Sequence, residues 1–325
     1  MKLLRRKFLS LSVGAAALPL MPPPARADAL VPETVHIVVG FAPGGVGDIS
    51  ARLIGASLQQ RLGRSVVVDN RPGASGNVAA EAVVKARPDG GTLLLAASNA
   101  AINATLYKNL PFNLIRDIAM VAGIMQGPLV MVTNPSFAAN SVMELIDYAK
   151  ANPDKVNMAS AGNGSAPHLA GALLQMMAGV SMVHVPYRGD APALADLVAG
   201  RTQLIFANMA SAIGFIRDGR LRALAVTSSN ASPALPGIPP LASVVPGYEV
   251  TSWYGLGAPK ATPADTIAAL NKAVNASLAE SAIANRIRDL GAEPMIMSPR
   301  KLDAFVAADT QRWAAAVKFS GAKVD

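Results

Sequence analysis

The run Val38-Val39-Gly40-Phe41-Ala42-Pro43-Gly44-Gly45-Val46-Gly47-Asp48 constrains this chain more than any other stretch. Residues 35–41 are apolar almost throughout and end in a glycine-rich turn. Ala51, Ile54, Leu58 and Leu62 then recur at the spacing of one helical face. The pattern predicts a strand, a tight loop and a helix. Such a loop brings backbone N–H groups to a helix N-terminus, where anions are attracted. Residues 41–48 therefore read as a grip for the anionic end of a ligand, a carboxylate or a phosphate.

The same alternation runs through most of the chain. Apolar, strand-like runs at residues 65–70, 92–97, 129–133, 156–161, 182–187, 203–208 and 222–227 alternate with helical patterns. Their nearly unbroken apolarity fits sheets covered on both faces. An irregular stretch, including the apolar run 118–125, separates a first series from a second that starts at 129. A proline-rich loop at 230–246 precedes one more strand, 251–258, and two or three helices. Ser141 with Glu144 fits a capping box, and Thr262-Pro263 and Ser298-Pro299 each fit a capped helix start. The expected fold is α/β, with two Rossmann-like βα domains: residues 28–127 plus 253–325, and residues 128–252. Paired crossings near Gly127 and Ser252 would form a hinge beside an interlobe cleft.

Residues 1–27 read as a signal peptide. Lys2, Arg5, Arg6 and Lys7 precede a short apolar core, and Ala25-Arg26-Ala27 predicts cleavage after Ala27. Arg5-Arg6-Lys7-Phe8-Leu9 also fits the twin-arginine export pattern, which leaves two export routes open. Removing this segment leaves 24 basic against 21 acidic residues, a balance of +3. That is no nucleic-acid footprint. The chain has no cysteine, which excludes disulfides, thiolate metal sites and cysteine nucleophiles.

A second strand–glycine turn–helix unit, Ala159-Ser160-Ala161-Gly162-Asn163-Gly164-Ser165, repeats the opening feature. Two such loops from two lobes could hold one anionic group between them. A dinucleotide site is the competing reading. Gly45-Val46-Gly47-Asp48-Ile49-Ser50 approximates G-x-G-x-x-G, and Asp69 ends the next strand where a ribose-binding acid would lie. That reading would make the protein a secreted NAD(P)-dependent oxidoreductase. Asp48 counts against it, because it puts negative charge where the pyrophosphate should sit. No G-x-S-x-G, Walker or H-E-x-x-H motif occurs. His36, His168 and His184 lie on separate elements without metal-ligand spacing. His168, in the first turn after the second loop, could touch either ligand or loop backbone. Tyr187 and Arg188 close a strand at the edge where open α/β sheets bind ligands, and Asn208 ends another. Arg188 could offer a cation to a carboxylate. Trp253 reads as hinge packing.

Phe41-Ala42-Pro43-Gly44-Gly45-x-x-Asp48, Asn70-Arg71-Pro72-Gly73-Ala74-x-Gly76-Asn77, Ser160-Ala161-Gly162-x-Gly164-Ser165-x-x-His168-Leu169, Pro186-Tyr187-Arg188-Gly189 and Trp253-Tyr254-Gly255-Leu256 occur in this order. Together they resemble the extracytoplasmic solute-binding proteins of tripartite tricarboxylate transporters, the Bug-type receptors. The likeness implies a two-lobed periplasmic binding protein of the type II kind, without catalysis, cofactor or metal. It implies a small carboxylate ligand: a di- or tricarboxylate, an acidic amino acid or an aromatic carboxylate. The expected partner is an integral-membrane permease, or a signalling protein if the receptor only senses, and the receptor is expected to be monomeric. Carried onto this chain, the gripping loops are Phe41, Ala42, Gly44, Gly45 and Asp48, and Ser160, Ala161, Gly162, Gly164, Ser165 and His168. Ser98, Asn99, Tyr187, Arg188 and Asn208 are the candidates for reading the rest of the ligand. Asp48 is expected to cap its own turn, or to pair with an arginine such as Arg71.

Overall fold

The computed structural model describes residues 30–320 and Ala322; the expected signal segment lies outside them. The first series comprises β1 (Thr34–Val39), α1 (Val46–Leu62), β2 (Ser65–Asn70), α2 (Asn77–Val84), β3 (Thr92–Ala97), α3 (Ser98–Leu106) and the short α4 (Leu114–Asp117). A long strand, β4 (Ile118–Thr133), leads into α5 (Val142–Ala151), β5 (Asn157–Ser160), α6 (Ala166–Ala178) and β6 (Val183–Pro186). Then come α7 (Asp190–Val198), β7 (Leu204–Asn208), α8 (Met209–Arg217) and β8 (Arg222–Val226). The chain ends with β9 (Thr251–Pro259), α9 (Ala264–Leu278), α10 (Ser281–Asp289), β10 (Glu293–Pro294) and α11 (Pro299–Ser320).

Among the described residues the strands join in the order β2-β1-β3-β9-β4-β7-β5-β6, with β8 and β10 also pairing to β4. The triplets β2-β1-β3 and β7-β5-β6 are parallel, while β9 runs antiparallel to β3 and to β4. This is the expected mixed α/β fold, and its central strands are buried as their apolarity predicts. β7 is buried along its whole length, whereas the edge strand β2 is half exposed.

β4 departs from the expected pattern. The sequence suggests a break between 125 and 129, yet β4 is one strand of 16 residues. Its first part pairs with β9 and its last part lies between β7 and β8. Gly127-Pro128 looks like a turn signal but serves packing here. A Cβ on Gly127 would come within 3.0 Å of the Gly291 carbonyl oxygen. Gly127 pairs with Ser252, and Pro128 with Thr251, so the two expected crossings are neighbours in one ladder.

The helix starts test the capping expectations individually. Ser141 Oγ accepts the Glu144 N–H at 3.1 Å, and the Glu144 carboxylate accepts the Asn140 N–H at 2.8 Å, one residue before the usual capping-box donor. Ser298 Oγ accepts the Lys301 N–H at 3.4 Å, as predicted for α11. Thr262 does not cap α9. Pro263 is extended there (φ −55°, ψ 139°) and itself takes the N-cap position, so the Thr262 hydroxyl has no hydrogen-bond partner.

The closing helix binds to both parts of the sheet. Leu302 and Val306 belong to one buried cluster with Val38, Ala79, Val83 and Leu94, while Trp313 and Val317 belong to another with Leu145, Leu169 and Leu174. Trp253, fully buried on β9, donates from Nε1 to Asp309 Oδ2 of α11 at 2.6 Å. This agrees with the packing role read for it. Trp253→Phe keeps the ring contact with Phe305 but leaves a buried carboxylate oxygen without its donor. The variant is expected to lose about 1–3 kcal/mol of stability, read as a lower urea midpoint at unchanged slope.

Candidate ligand site

The first loop is shaped by close backbone approach. A Cβ on Gly40 would lie 2.4 Å from the Gly76 Cα, so only glycine allows the two turns to meet. α1 then starts at Val46 without a side-chain cap from Gly45. Asp48 accepts the Gly44 N–H at 3.0 Å, as expected, but its arginine is Arg52 and not Arg71. Arg52 Nε lies 3.0 Å from Asp48 Oδ2 and Nη2 lies 2.9 Å from Oδ1. Arg52 is one turn further along the same helix and thus always within reach, whereas the Arg71 backbone N–H donates to Val39 O at 2.7 Å. Burial pushes the Asp48 carboxyl up, but the Arg52 and Gly44 hydrogen bonds outweigh it and hold it below its ordinary value.

The second loop is tied through its serines and a histidine. Ser160 Oγ accepts the Gly162 N–H at 3.1 Å and is 2.6 Å from His184 Nε2. Ser165 Oγ donates to Gly162 O at 2.7 Å and accepts the His168 N–H at 3.3 Å, capping α6. His168 Nδ1 accepts the Gly164 N–H at 3.2 Å. His168 therefore holds loop backbone and lines neither cavity described below. Its ring stacks on His184, centroids 4.1 Å apart. Burial, with His184 adding to it, pushes His168 down to about 3, and burial pushes His184 down to about 4. Gly164 has φ +80°, and a Cβ there would strike Asn103 Oδ1. This close approach seats the second loop on α3. Asn99 and Asn103 of that helix both donate to Ser75 O, at 2.6 and 3.2 Å, and hold the left-handed residue Ser75 (φ 52°).

Between the loops lies an inner cavity of about 30 Å³. Val46 and Gly47 line it at the start of α1, Ser98 and Asn99 at the start of α3, and Ala166 and Pro167 at the start of α6. Asp190 lines it as the first residue of α7, and Asn208 as the N-cap of α8. Five helix N-termini thus converge on one space, and none of its lining residues is a lysine, arginine or histidine. That arrangement attracts an anion through backbone dipoles alone. An outer cavity of about 190 Å³ shares Phe41 and Ala161 with the inner one and is also lined by Ser75, Tyr107, Gly162, Tyr187 and Arg188.

The predicted residues divide accordingly. Phe41, Gly45, Ser98, Asn99, Ala161, Ser165 and Asn208 line the inner cavity; Gly162, Tyr187 and Arg188 line only the outer one. Ala42, Gly44, Asp48, Ser160, Gly164 and His168 line neither and serve the loop backbones. Ala42 N–H donates to Arg188 O at 2.8 Å, which joins the first loop to the β6–α7 turn. Asp69, the acid of the dinucleotide reading, is 2.9 Å from His36 Nδ1 instead.

Sequence reasoning missed Asp190, Ser252 and Tyr254, which also line the inner cavity. Asp190 Oδ2 accepts from Asn208 Nδ2 at 3.0 Å and from Ser211 Oγ at 3.4 Å, and Asn208 Oδ1 accepts from Ser252 Oγ at 2.7 Å. Burial pushes the Asp190 carboxyl up to about 6, against the pull of Asn208, Ser211 and the Val46 amide. The available signal was an acid placed immediately after a strand-closing Tyr-Arg-Gly turn. For Ser252 and Tyr254 it was strand alternation about the inward Trp253.

Two βα half-sheets closing on an anion-attracting cavity define a solute-binding protein. The sequence matches the family described as tripartite tricarboxylate transporter family receptor over residues 50–321. It is 36% identical to protein BugT of Bordetella pertussis over 304 residues, 93% of each chain. Among solved structures, R. palustris Rpa4515 with adipate superposes with a TM-score of 0.87 at 36% identity, covering 90% of this chain and 98% of that one. The periplasmic binding protein BugD gives 0.86 at 34% identity, covering 90% and 99%. MatC (Rpa3494) from Rhodopseudomonas palustris with bound malate gives 0.83 at 32%, covering 87% and 98%. The chain belongs to the tripartite tricarboxylate transporter receptor family, a family of periplasmic solute-binding receptors.

The buried histidines predict how stability responds to acid. Both are neutral in the fold and protonate near 6.5 when unfolded, so their contribution is complete above pH 6.5 and is lost as pH falls towards 4. Each adds up to about 1.4 kcal/mol per pH unit in that window, while Asp190, raised to about 6, opposes them in part. Urea midpoints should fall from pH 7 to pH 5. His168→Gln, which can still accept the Gly164 N–H, should flatten that slope by up to one proton.

Proposed function

We propose that this protein is a periplasmic receptor that captures a small carboxylate between the two loops and delivers it to a membrane permease. The convergence of five helix N-termini on a cavity without a basic side chain carries this reading. The relatives Rpa4515 with adipate and MatC with malate support it for the ligand class. The receptor acts without catalysis, cofactor or metal, as a monomer, after cleavage behind Ala27. The ligand's carboxylate meets the inner cavity through Phe41, Gly45, Ala161 and Ser165. Tyr187 and Arg188 face its distal end from the outer cavity.

Access depends on opening. A space of about 30 Å³ holds about one or two waters, so a dicarboxylate needs the loops to part. The lobes are residues 28–127 plus 253–325, and 128–252. Their hinge is the ladder segment where Gly127 faces Ser252 and Pro128 faces Thr251.

Titration calorimetry of protein refolded to strip bound ligand, against a panel of carboxylates, tests the reading. Saturable binding of at least one carboxylate is expected; heat from neutral sugars and from no carboxylate would overturn it. Gly45→Asp places a charge beside the Asp190 backbone N, 3.6 Å from the new Cβ. It should abolish binding while the circular dichroism spectrum is retained. Arg188→Ala should weaken a dicarboxylate by about tenfold and a monocarboxylate much less. Equal losses would assign Arg188 a purely structural role.

A further inference from the structure

Asp190 is the one acid lining the inner cavity, and it is only 4% exposed. Its two oxygens differ. Oδ2 is fixed by Asn208 and Ser211, while Oδ1 is buried and makes no hydrogen bond of ordinary geometry. A buried carboxylate oxygen without a donor is costly to leave so, and native structures seldom do. The elements packed around it leave that oxygen unpaired. α1 offers the Val46 amide, which faces the carboxylate, and α8 offers Ser211, already bound to Oδ2. β9 offers Tyr254, whose buried hydroxyl lies near both Asp190 and Ser252 but makes no hydrogen bond of ordinary geometry to Asp190 Oδ1. The acid at the start of α1, Asp48, is neutralised by Arg52 and leaves no cation over. Among the described residues, no basic side chain lines this cavity.

We propose that Asp190 is a specificity-determining residue whose free oxygen accepts a hydrogen bond from the ligand, selecting carboxylates that carry a hydroxyl or ammonium group. The proposal rests on the carboxylate reading above and narrows it. The converging helix N-termini hold the ligand's carboxylate; Asp190 supplies the negative pole that a neighbouring donor group completes. An unsubstituted dicarboxylate leaves Oδ1 unpaired and presents no donor to it. A site built to hydrogen-bond a substituent discriminates strongly against the analogue that lacks it.

The opposing possibility is that Asp190 binds in its protonated form and donates to a ligand carboxylate. The two differ in what they select and in their proton balance. Calorimetry at pH 8 with two matched series separates them: succinate, malate and aspartate, and adipate with 2-aminoadipate. In at least one series the substituted ligand should bind about tenfold or more tightly than the unsubstituted one. Asp190→Ala should erase that preference by weakening the substituted ligand about tenfold more than the unsubstituted one. Asp190→Asn is the sharper variant. With its carbonyl oxygen held by Asn208 and Ser211, it turns an N–H donor to the ligand, so aspartate and 2-aminoadipate should lose affinity while succinate and adipate do not. Thermal melts of both variants check that the fold is retained.

Equal or tighter binding of the unsubstituted ligands, or a preference unchanged in both variants, overturns the proposal. So does succinate or adipate binding that strengthens as pH falls through 6 with uptake of a proton. Failure of every carboxylate to bind would instead overturn the receptor reading itself, and this inference with it.

Discussion

The structure depends on the convergence of helix N-termini on one space, and strand direction forces that convergence. In a parallel βα unit, the carboxyl end of each strand leads directly into a helix start. β1, β3, β5, β6 and β7 therefore deliver α1, α3, α6, α7 and α8 to strand ends. Since β4 belongs to both parts of the sheet, the two sets of strand ends face the same space. Positive potential then arises from backbone N–H groups at the helix starts, which unlike a lysine need no long side chain to be desolvated and ordered. That is why a cavity suited to an anion is lined mainly by glycine, alanine, serine and asparagine, with Asp190 as its one charged residue.

Such a site demands that backbone approach backbone closely. Gly40 meets Gly76, Gly164 meets Asn103, and Gly189 sits where a Cβ would press within 3.2 Å of the Ala42 nitrogen. The two acids near the site show how the same residue type acquires different roles. Asp48 is in the first turn of α1 with an arginine one helical turn away, so its charge closes the loop upon itself. Asp190 opens α7 without such a partner and remains available. Position along the helix, rather than acidity, separates a structural carboxylate from one that faces the cavity.

The elements of the site were legible in the sequence wherever chemistry is local. An apolar run followed by glycines marks both loops, and capping residues mark α5 and α11. What escaped depends on contacts distant in sequence. Gly127-Pro128 signals a turn in any short window, and only its partners Ser252 and Thr251 reveal a continuous strand. His168 could be assigned between ligand and backbone only once the Gly164 N–H was seen to meet Nδ1. Asp190 read as one more turn residue because its partners, Asn208 and Ser211, lie 18 and 21 residues away. The likeness of the five motifs identified the family, but the motif residues are mostly those that build loops. Three of the first loop's five predicted contacts, Ala42, Gly44 and Asp48, shape the grip and do not line it.

The closed geometry also bears on how a ligand can control the receptor. Close to the cavity, the first loop meets the β6–α7 turn through one backbone hydrogen bond, Ala42 to Arg188, and through the packing of Gly189. Exchanging one such bond with water changes free energy by only about 1 kcal/mol, so these contacts alone bias closure weakly. A ligand touching both loops adds contacts that exist only when the loops are together, and only such differential contacts shift the balance between open and closed forms. An anion shared among several helix N-termini is suited to this, because each half of the sheet by itself supplies only part of the set. Fit to the ligand and closure of the cleft are then one thermodynamic event, and a side chain such as Asp190 that leaves a bond for the ligand to complete makes closure depend on the ligand's chemistry.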